Sequence, residues 1–280
     1  MKTHAIVTTS LRHSFLAVGI LGFTAIASHA AVVTWGAATG ISGDSNVSTA
    51  GTLVNARNFG GPGAPPTTTV NGVAFLPFAV DGLSTTYTAG NATLSTVSDR
   101  NPTFATTSTF QSLSAPYTTL LATATKFTAD RSYKLTFSGL TAGQAYQFQV
   151  WQSNSTRGYP GPTSVLGNAF NFQLSIGDGL GNNVDLYAGD NGIGGGPNGT
   201  NRAATPGQFV LGTFTANALT QDFLFSNGEI DGWVNGFQLR ALAAAPAVVP
   251  EPGSALAGML ALGVCLSGLA GRSRGKVLSS

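Results

Sequence analysis

From Tyr133 to Ser138 the chain reads Tyr-Lys-Leu-Thr-Phe-Ser, with large apolar and polar residues alternating at every step. The same period of two returns at Tyr146, Phe148 and Val150 around Gln147 and Gln149. It returns again at Phe170, Phe172, Leu174 and Ile176, and at Phe223 and Phe225. Successive side chains of a strand point to opposite faces, so each stretch predicts a strand with one buried and one wet face. Further strands are expected over residues 32–35, 53–59, 73–78, 208–215 and 233–240. Turn signals fall between them: Asn71-Gly72, Asp81-Gly82, Gly177-Asp178-Gly179, Asn227-Gly228 and Asp231-Gly232. About ten such strands predict an all-β fold, a single antiparallel β-sandwich of jelly-roll type whose two sheets bury their phenylalanine rows against each other. Ser114-Ala115-Pro116-Tyr117 either caps a short helix or makes an irregular turn. The glycine-rich run at residues 194–199 has no lysine and no strand–helix setting, so it reads as a loop and not a phosphate cradle.

The two ends break the alternation. Residues 1–30 carry Lys2 and Arg12, then an apolar core over 15–27, then Ser28-His29-Ala30. That order predicts a signal peptide cleaved between Ala30 and Ala31. Near the other end, residues 253–270 form an apolar run of 18 residues without a charge. As a helix the run would span roughly 27 Å, about the thickness of a bilayer core, and would form a transmembrane segment. Arg272 and Arg274 follow it at once, which favours a cytoplasmic tip. Pro250 and Pro252 bracket Glu251 just before it and keep that stretch extended.

Val249-Pro250-Glu251-Pro252, an apolar helix and a basic cluster, in that order, resemble the PEP-CTERM sorting tail of Gram-negative bacteria. The resemblance covers about the last 30 residues and implies recognition by an exosortase-type processing enzyme, with a transient stay in the inner membrane before release to the cell surface or beyond. The interrupted Arg272-Ser273-Arg274 departs from tails with consecutive arginines. The expected organisation is therefore a signal peptide at 1–30, a β-sandwich domain at 31–245 and a sorting tail at 246–280. Within the tail, 249–252 is the motif, 253–270 the helix and 271–280 the basic tip. Within the domain, Gly139-Leu140-Thr141-Ala142-Gly143-Gln144-Ala145-Tyr146 is similar to a strand connection of fibronectin type III-like sandwiches. That arch and the stretch from Trp35 to Gly60 also resemble uncharacterised β-sandwich domains that accompany PEP-CTERM tails, a likeness that implies no activity.

Composition narrows the chemistry. Only 9% of the residues are charged and 37 of the 280 are glycine, yet 42% are apolar, enough for a core. The formal net charge of +2 comes from the ends. Between residues 31 and 249 stand eight basic residues and ten acidic ones, so no basic stripe exists for nucleic acid. His4, His13 and His29 lie in the signal segment, and Cys265 lies in the tail. A trimmed body would thus lack the imidazole and thiol of Ser-His-Asp and Cys-His catalysis, the usual zinc ligands, and any disulfide.

What remains is oxygen chemistry and aromatic surface. Asp178, Asn182, Asp185 and Asp190 offer hard ligands in a glycine-rich stretch and are candidate calcium ligands, with turn duty as the plainer role; no other cofactor is expected. Trp151 falls out of phase with Tyr146, Phe148 and Val150, on the side of Gln147 and Gln149. With Asn154 and Arg157 it forms either a sugar-stacking edge or a ring covered by a loop or by the short helix. Trp233 is in phase with Phe237 and Leu239 and is assigned to the core, and Trp35 is open to either assignment. The functional expectation is an exported, non-enzymatic surface or matrix protein associated with extracellular polysaccharide. A carbohydrate-binding module is the alternative. A carboxylate-dependent glycoside hydrolase using Glu229 is the weakest reading, because such enzymes need two flanking carboxylates.

Overall fold

The structure is a computed structural model that describes residues 30–61, 63, 65–95, 110–127, 132–154, 173–188, 206–227 and 232–243. Strands dominate these residues. A larger sheet contains β1 (Thr34–Trp35), β2 (Thr39–Gly40), β3 (Thr52–Gly60), β4 (Thr68–Val70), β5 (Val73–Ala79), β10 (Ala145–Gln152), β13 (Gln208–Thr215) and β16 (Gly236–Ala241). Its order is β1-β13-β10-β16-β3-β5-β4, with β2 also on β13. A smaller sheet contains β6 (Thr86–Ala89), β7 (Ala92–Ser95), β9 (Ser132–Ser138), β11 (Gln173–Gly177), β12 (Asn183–Tyr187) and β14 (Thr220–Asn227), in the order β12-β11-β14-β9-β7-β6. A third pair joins β8 (Thr125–Phe127) to β15 (Gly232–Val234).

The alternation predicted from sequence is the device that builds the core. Tyr146, Phe148 and Val150 of β10 meet Leu135 and Phe137 of β9, Leu174 and Ile176 of β11, and Phe223 and Phe225 of β14 in one buried cluster. Phe148 stacks on Phe223 with centroids 4.0 Å apart, and Phe137 meets Phe148 and Phe237 edge-on at 5.7 and 5.4 Å. Such pairs add roughly 0.5–1.5 kcal/mol each beyond the area they bury. The outward face of the smaller sheet is mostly polar, with Leu224 an exception, and one row across it is in register: Thr88, Thr93, Thr136 and Asp222. Lys134 pairs with Asp222 there at 3.2 Å.

Three features depart from a purely antiparallel two-layer sandwich. First, β3 and β5 run parallel, with Arg57 opposite Leu76 and Phe59 opposite Phe78. The chain leaves β3, forms β4 at the sheet edge, and returns as β5 through the Asn71-Gly72 turn. Asn71 (φ 49°) and Gly72 (φ 75°) are both left-handed, as a two-residue hairpin requires. Second, the predicted strand over 233–240 breaks at Asn235 into β15 and β16. Trp233 is buried as expected, but in a small cluster with Ala124 and Ala188, while Val234 joins Phe237 and Leu239 in the main core. Third, the larger sheet has a second core on its far side, built from Val47, Ala56, Phe75, Trp151 and Phe209 under Tyr117, Leu120 and Leu121 of helix α1 (Ala115–Leu121). The helix starts as its sequence indicates, with Ser114 Oγ accepting from the Tyr117 amide and Pro116 in the first turn. Among the described residues no helix is long and apolar enough to cross a membrane.

Candidate functional site

The second core decides the fate of Trp151. Gln147, Gln149 and Trp151 do share the face opposite Phe148, but that face is not open. A chain segment over 46–51 lies across its polar part: Gln149 Nε2 donates to the Asn46 carbonyl at 2.6 Å, Gln238 Nε2 to the Ser48 carbonyl at 3.0 Å, and Arg240 Nε to the Ala50 carbonyl at 2.7 Å. Helix α1 covers the apolar part. Trp151 is fully buried, meets Phe75 edge-on at 5.4 Å, and donates its indole N–H to the Tyr117 hydroxyl at 2.9 Å. Its out-of-phase position marks a second core and not an exposed edge, so the ring has no free face for a sugar. Asn154 is also buried, with its amide N–H donated to the Ala188 carbonyl at 2.9 Å. Arg157 lies outside the described residues.

The acidic turn resolves differently from a calcium loop. The Asp178 carboxylate is buried and accepts from the amides of Val33 (3.0 Å), Leu180 (2.8 Å) and Asn182 (3.3 Å), and from Asn182 Nδ2 (2.8 Å). Burial pushes this carboxyl up, but the four donors, the Val33 amide first, outweigh it and hold it below its ordinary value. A metal would have to displace N–H donors that already satisfy both oxygens. Asn182 turns its nitrogen, not its oxygen, towards them. Asp178 and Asn182 therefore do turn and clasp work, the plainer of the two roles read from the sequence. Asp185 stands on β12 opposite Ser175, with Oδ1 buried and without a hydrogen-bond partner among the described residues. Asp190 lies outside the described residues, and no cluster of three metal-ligating side chains occurs among those described.

What Asp178 clasps is the predicted processing point. Ala30 is half-buried, and Ala31 and Val33 are buried in the main core. The Ala31 amide donates to Gln221 Oε1 at 2.8 Å, and Gln221 Nε2 donates back to the Ala31 carbonyl at 3.2 Å. The Val33 amide reaches Asp178, and Thr34 and Trp35 pair with Thr213 and Gly212 of β13. Trp35 then lies over Gly212, contacts Phe148 and Phe223 at 6.3 and 5.9 Å, and donates its indole N–H to the Asn182 carbonyl at 3.3 Å. The residues just after the expected cleavage are thus integral to the main core.

Two arginines that sequence reasoning treated only as charge prove to be placed with care. Arg240 is buried and spends its guanidinium on the carbonyls of Thr49, Ala50 and Gly51 and on Gln238 Oε1. Arg57 sits in phase with Phe59, on the core side of β3, where an apolar residue is the norm. That phase was the signal in the sequence. The sorting motif at Val249, Pro250, Glu251 and Pro252, the basic tip with Arg272 and Arg274, and Glu229 all lie outside the described residues. No protein-family model, no curated protein and no solved structure matches this chain.

Proposed function

We propose that the chain is an exported, non-enzymatic surface or extracellular-matrix protein that reaches its destination through an exosortase-type system and associates with extracellular polysaccharide. The observation that carries the reading is the three-part order at the C-terminus: Val-Pro-Glu-Pro, an apolar run of membrane length, then arginines. The signal-like residues 1–30 give the same direction of travel. The buried clasp on Ala31 supports a body that starts at that residue, because a signal peptidase needs an extended, accessible chain and so acts before the arm docks. In this reading a jelly-roll-like sandwich is the working part, and the signal helix and membrane helix are removed around it.

Neither alternative gains support. The carbohydrate-binding reading through Trp151 loses its exposed ring. For the hydrolase, Asp44, Asp81, Asp178 and Asp222 each hold a local structural partner. The test is the intact mass of the native product together with cell fractionation. A product outside the cytoplasm that begins at Ala31 and lacks the apolar tail is the expected result. A full-length product in the cytosol overturns the reading.

A further inference from the structure

The larger sheet overhangs the smaller one where β3 and β5 begin. Phe59 and Phe78 lie in the inter-sheet core, so Arg57 and its register partner Leu76 share that face one step further out, beyond the reach of the phenylalanine layer. Here the turn between β6 and β7 ends the smaller sheet, and a cleft of about 380 Å³ opens. Leu53, Val54 and Leu76 line it, and each is more than a third exposed.

Arg57 is held in this cleft by a relay of amides. Asn91 Nδ2 donates to the Ser138 carbonyl at 3.0 Å, Asn55 Nδ2 donates to Asn91 Oδ1 at 2.8 Å, and Arg57 Nε donates to Asn55 Oδ1 at 2.7 Å. Beyond that bond the guanidinium has one long contact, Nη1 to the Pro77 carbonyl at 3.4 Å. Nη2 has no acceptor among the described residues, and no carboxylate among them lies within ion-pair distance. The contrast with Arg240 is plain, since that guanidinium has four acceptors. Partial burial already lowers the pKa of Arg57, so its charge lacks full solvation as well as a partner. Gly90 sits beside it with φ +64°, and a Cβ there would come within 2.7 Å of Nη2. The turn leaves that nitrogen room.

We propose that this cleft binds a uronic acid residue of an acidic polysaccharide, with the sugar carboxylate received by the Arg57 guanidinium. The proposal deepens the polysaccharide association argued above and rests on that reading. A planar guanidinium held at one end presents its remaining N–H groups as a fork suited to a carboxylate. The C–H face of a pyranose ring can lie on Leu53, Val54 and Leu76 while its hydroxyls stay in water. An acidic peptide fits less well. At Arg57 and Asn58 β3 is paired on both sides, by β16 and by β5, so a peptide laid over the guanidinium would bury its backbone with no ladder to receive it.

The test is titration of the full chain with polygalacturonate, with dextran as the neutral polymer and polyglutamate as the acidic peptide. Saturable binding to polygalacturonate is expected, weakened by salt and lowered about tenfold or more in Arg57→Gln, a loss of about 1.4 kcal/mol or more. Leu76→Asp sets a like charge in the cleft at a half-exposed position and is expected to abolish binding with an unchanged thermal midpoint. Wild-type affinity in a folded Leu76→Asp variant overturns the site, and so does equal affinity for dextran or polyglutamate. If the protein is found outside the cell, trimmed at both ends, and still shows no Arg57-dependent binding, the site falls while the export reading stands.

Discussion

Trp151 and Tyr117 form a closed pair: indole N–H to phenol oxygen at 2.9 Å, with both rings at 0% exposure. Burial raises the Tyr117 pKa, the Trp151 hydrogen bond opposes the rise, and the charge of Asp44 adds to it. A phenol whose pKa is raised by folding favours the folded state below the unfolded value of about 10, and that advantage is lost as pH climbs past it. Unfolding midpoints measured in alkaline buffers should fall above that point. Tyr117→Phe should flatten the fall, while costing about 1–3 kcal/mol at neutral pH because the buried indole N–H loses its acceptor.

Asn235 is the second tie between helix α1 and the sheet. Its Nδ2 donates to the carbonyls of Leu121 (2.9 Å), Thr123 (3.1 Å) and Ser153 (3.2 Å), and its Oδ1 accepts from the Ser153 amide at 2.6 Å. Asn235→Leu leaves those buried groups unpaired and should cost about 3–5 kcal/mol. Asn235→Asp should be no milder, since a carboxylate would face three carbonyl oxygens. Urea titration checks both, as a lower midpoint at an unchanged slope.

Gly212 and Trp35 are register partners on β13 and β1, and a Cβ at position 212 would lie 2.6 Å from the indole ring. Gly212→Val should therefore expel the ring from its place against Phe148 and Phe223. A red-shifted Trp emission and a loss of about 1–3 kcal/mol are expected. An unshifted spectrum at wild-type stability would sink the packing of Trp35 over Gly212 against Phe148 and Phe223.

The arm from Ala31 should be sensitive to acid. Folding holds the Asp178 pKa below its ordinary value, so the stability it contributes is present above the unfolded value of about 3.9 and is lost as pH falls through the folded value. Asp178→Asn should remove that acid dependence. It should also release Val33, read as faster amide exchange over residues 31–35. Gln221→Leu should release Ala31 in the same measurement and leave the acid limb intact.

Much of this architecture could be read along the chain, and what could not has physical reasons. Large apolar residues at period two marked β9, β10, β11 and β14, because a residue such as Phe137 buries only if its neighbours face away. The hairpin of β6 and β7 escaped notice, since each strand has only four residues and turns just one large side chain, Tyr87 or Leu94, to the core, too short a run for a period to show. The parallel β3–β5 pair was hidden because a period of two carries no direction. Trp151 was placed on the correct face with two surroundings open, and the structure has the short helix covering it: phase fixes a face, and only tertiary packing tells whether that face is wet. Asp178 could be read for turn duty or as a metal ligand, because the oxygen that receives a backbone amide 145 residues away in sequence is the same oxygen that would bind a cation.

Covering the larger sheet on both sides gives the molecule an inside-out asymmetry. One outer surface is a folded-over layer of chain and helix, and the other carries, among the described residues, threonine hydroxyls in register. Any neighbour meets a different chemistry according to the side from which it approaches. Orientation is therefore built in before a partner arrives, and an array of such units would come with a front and a back.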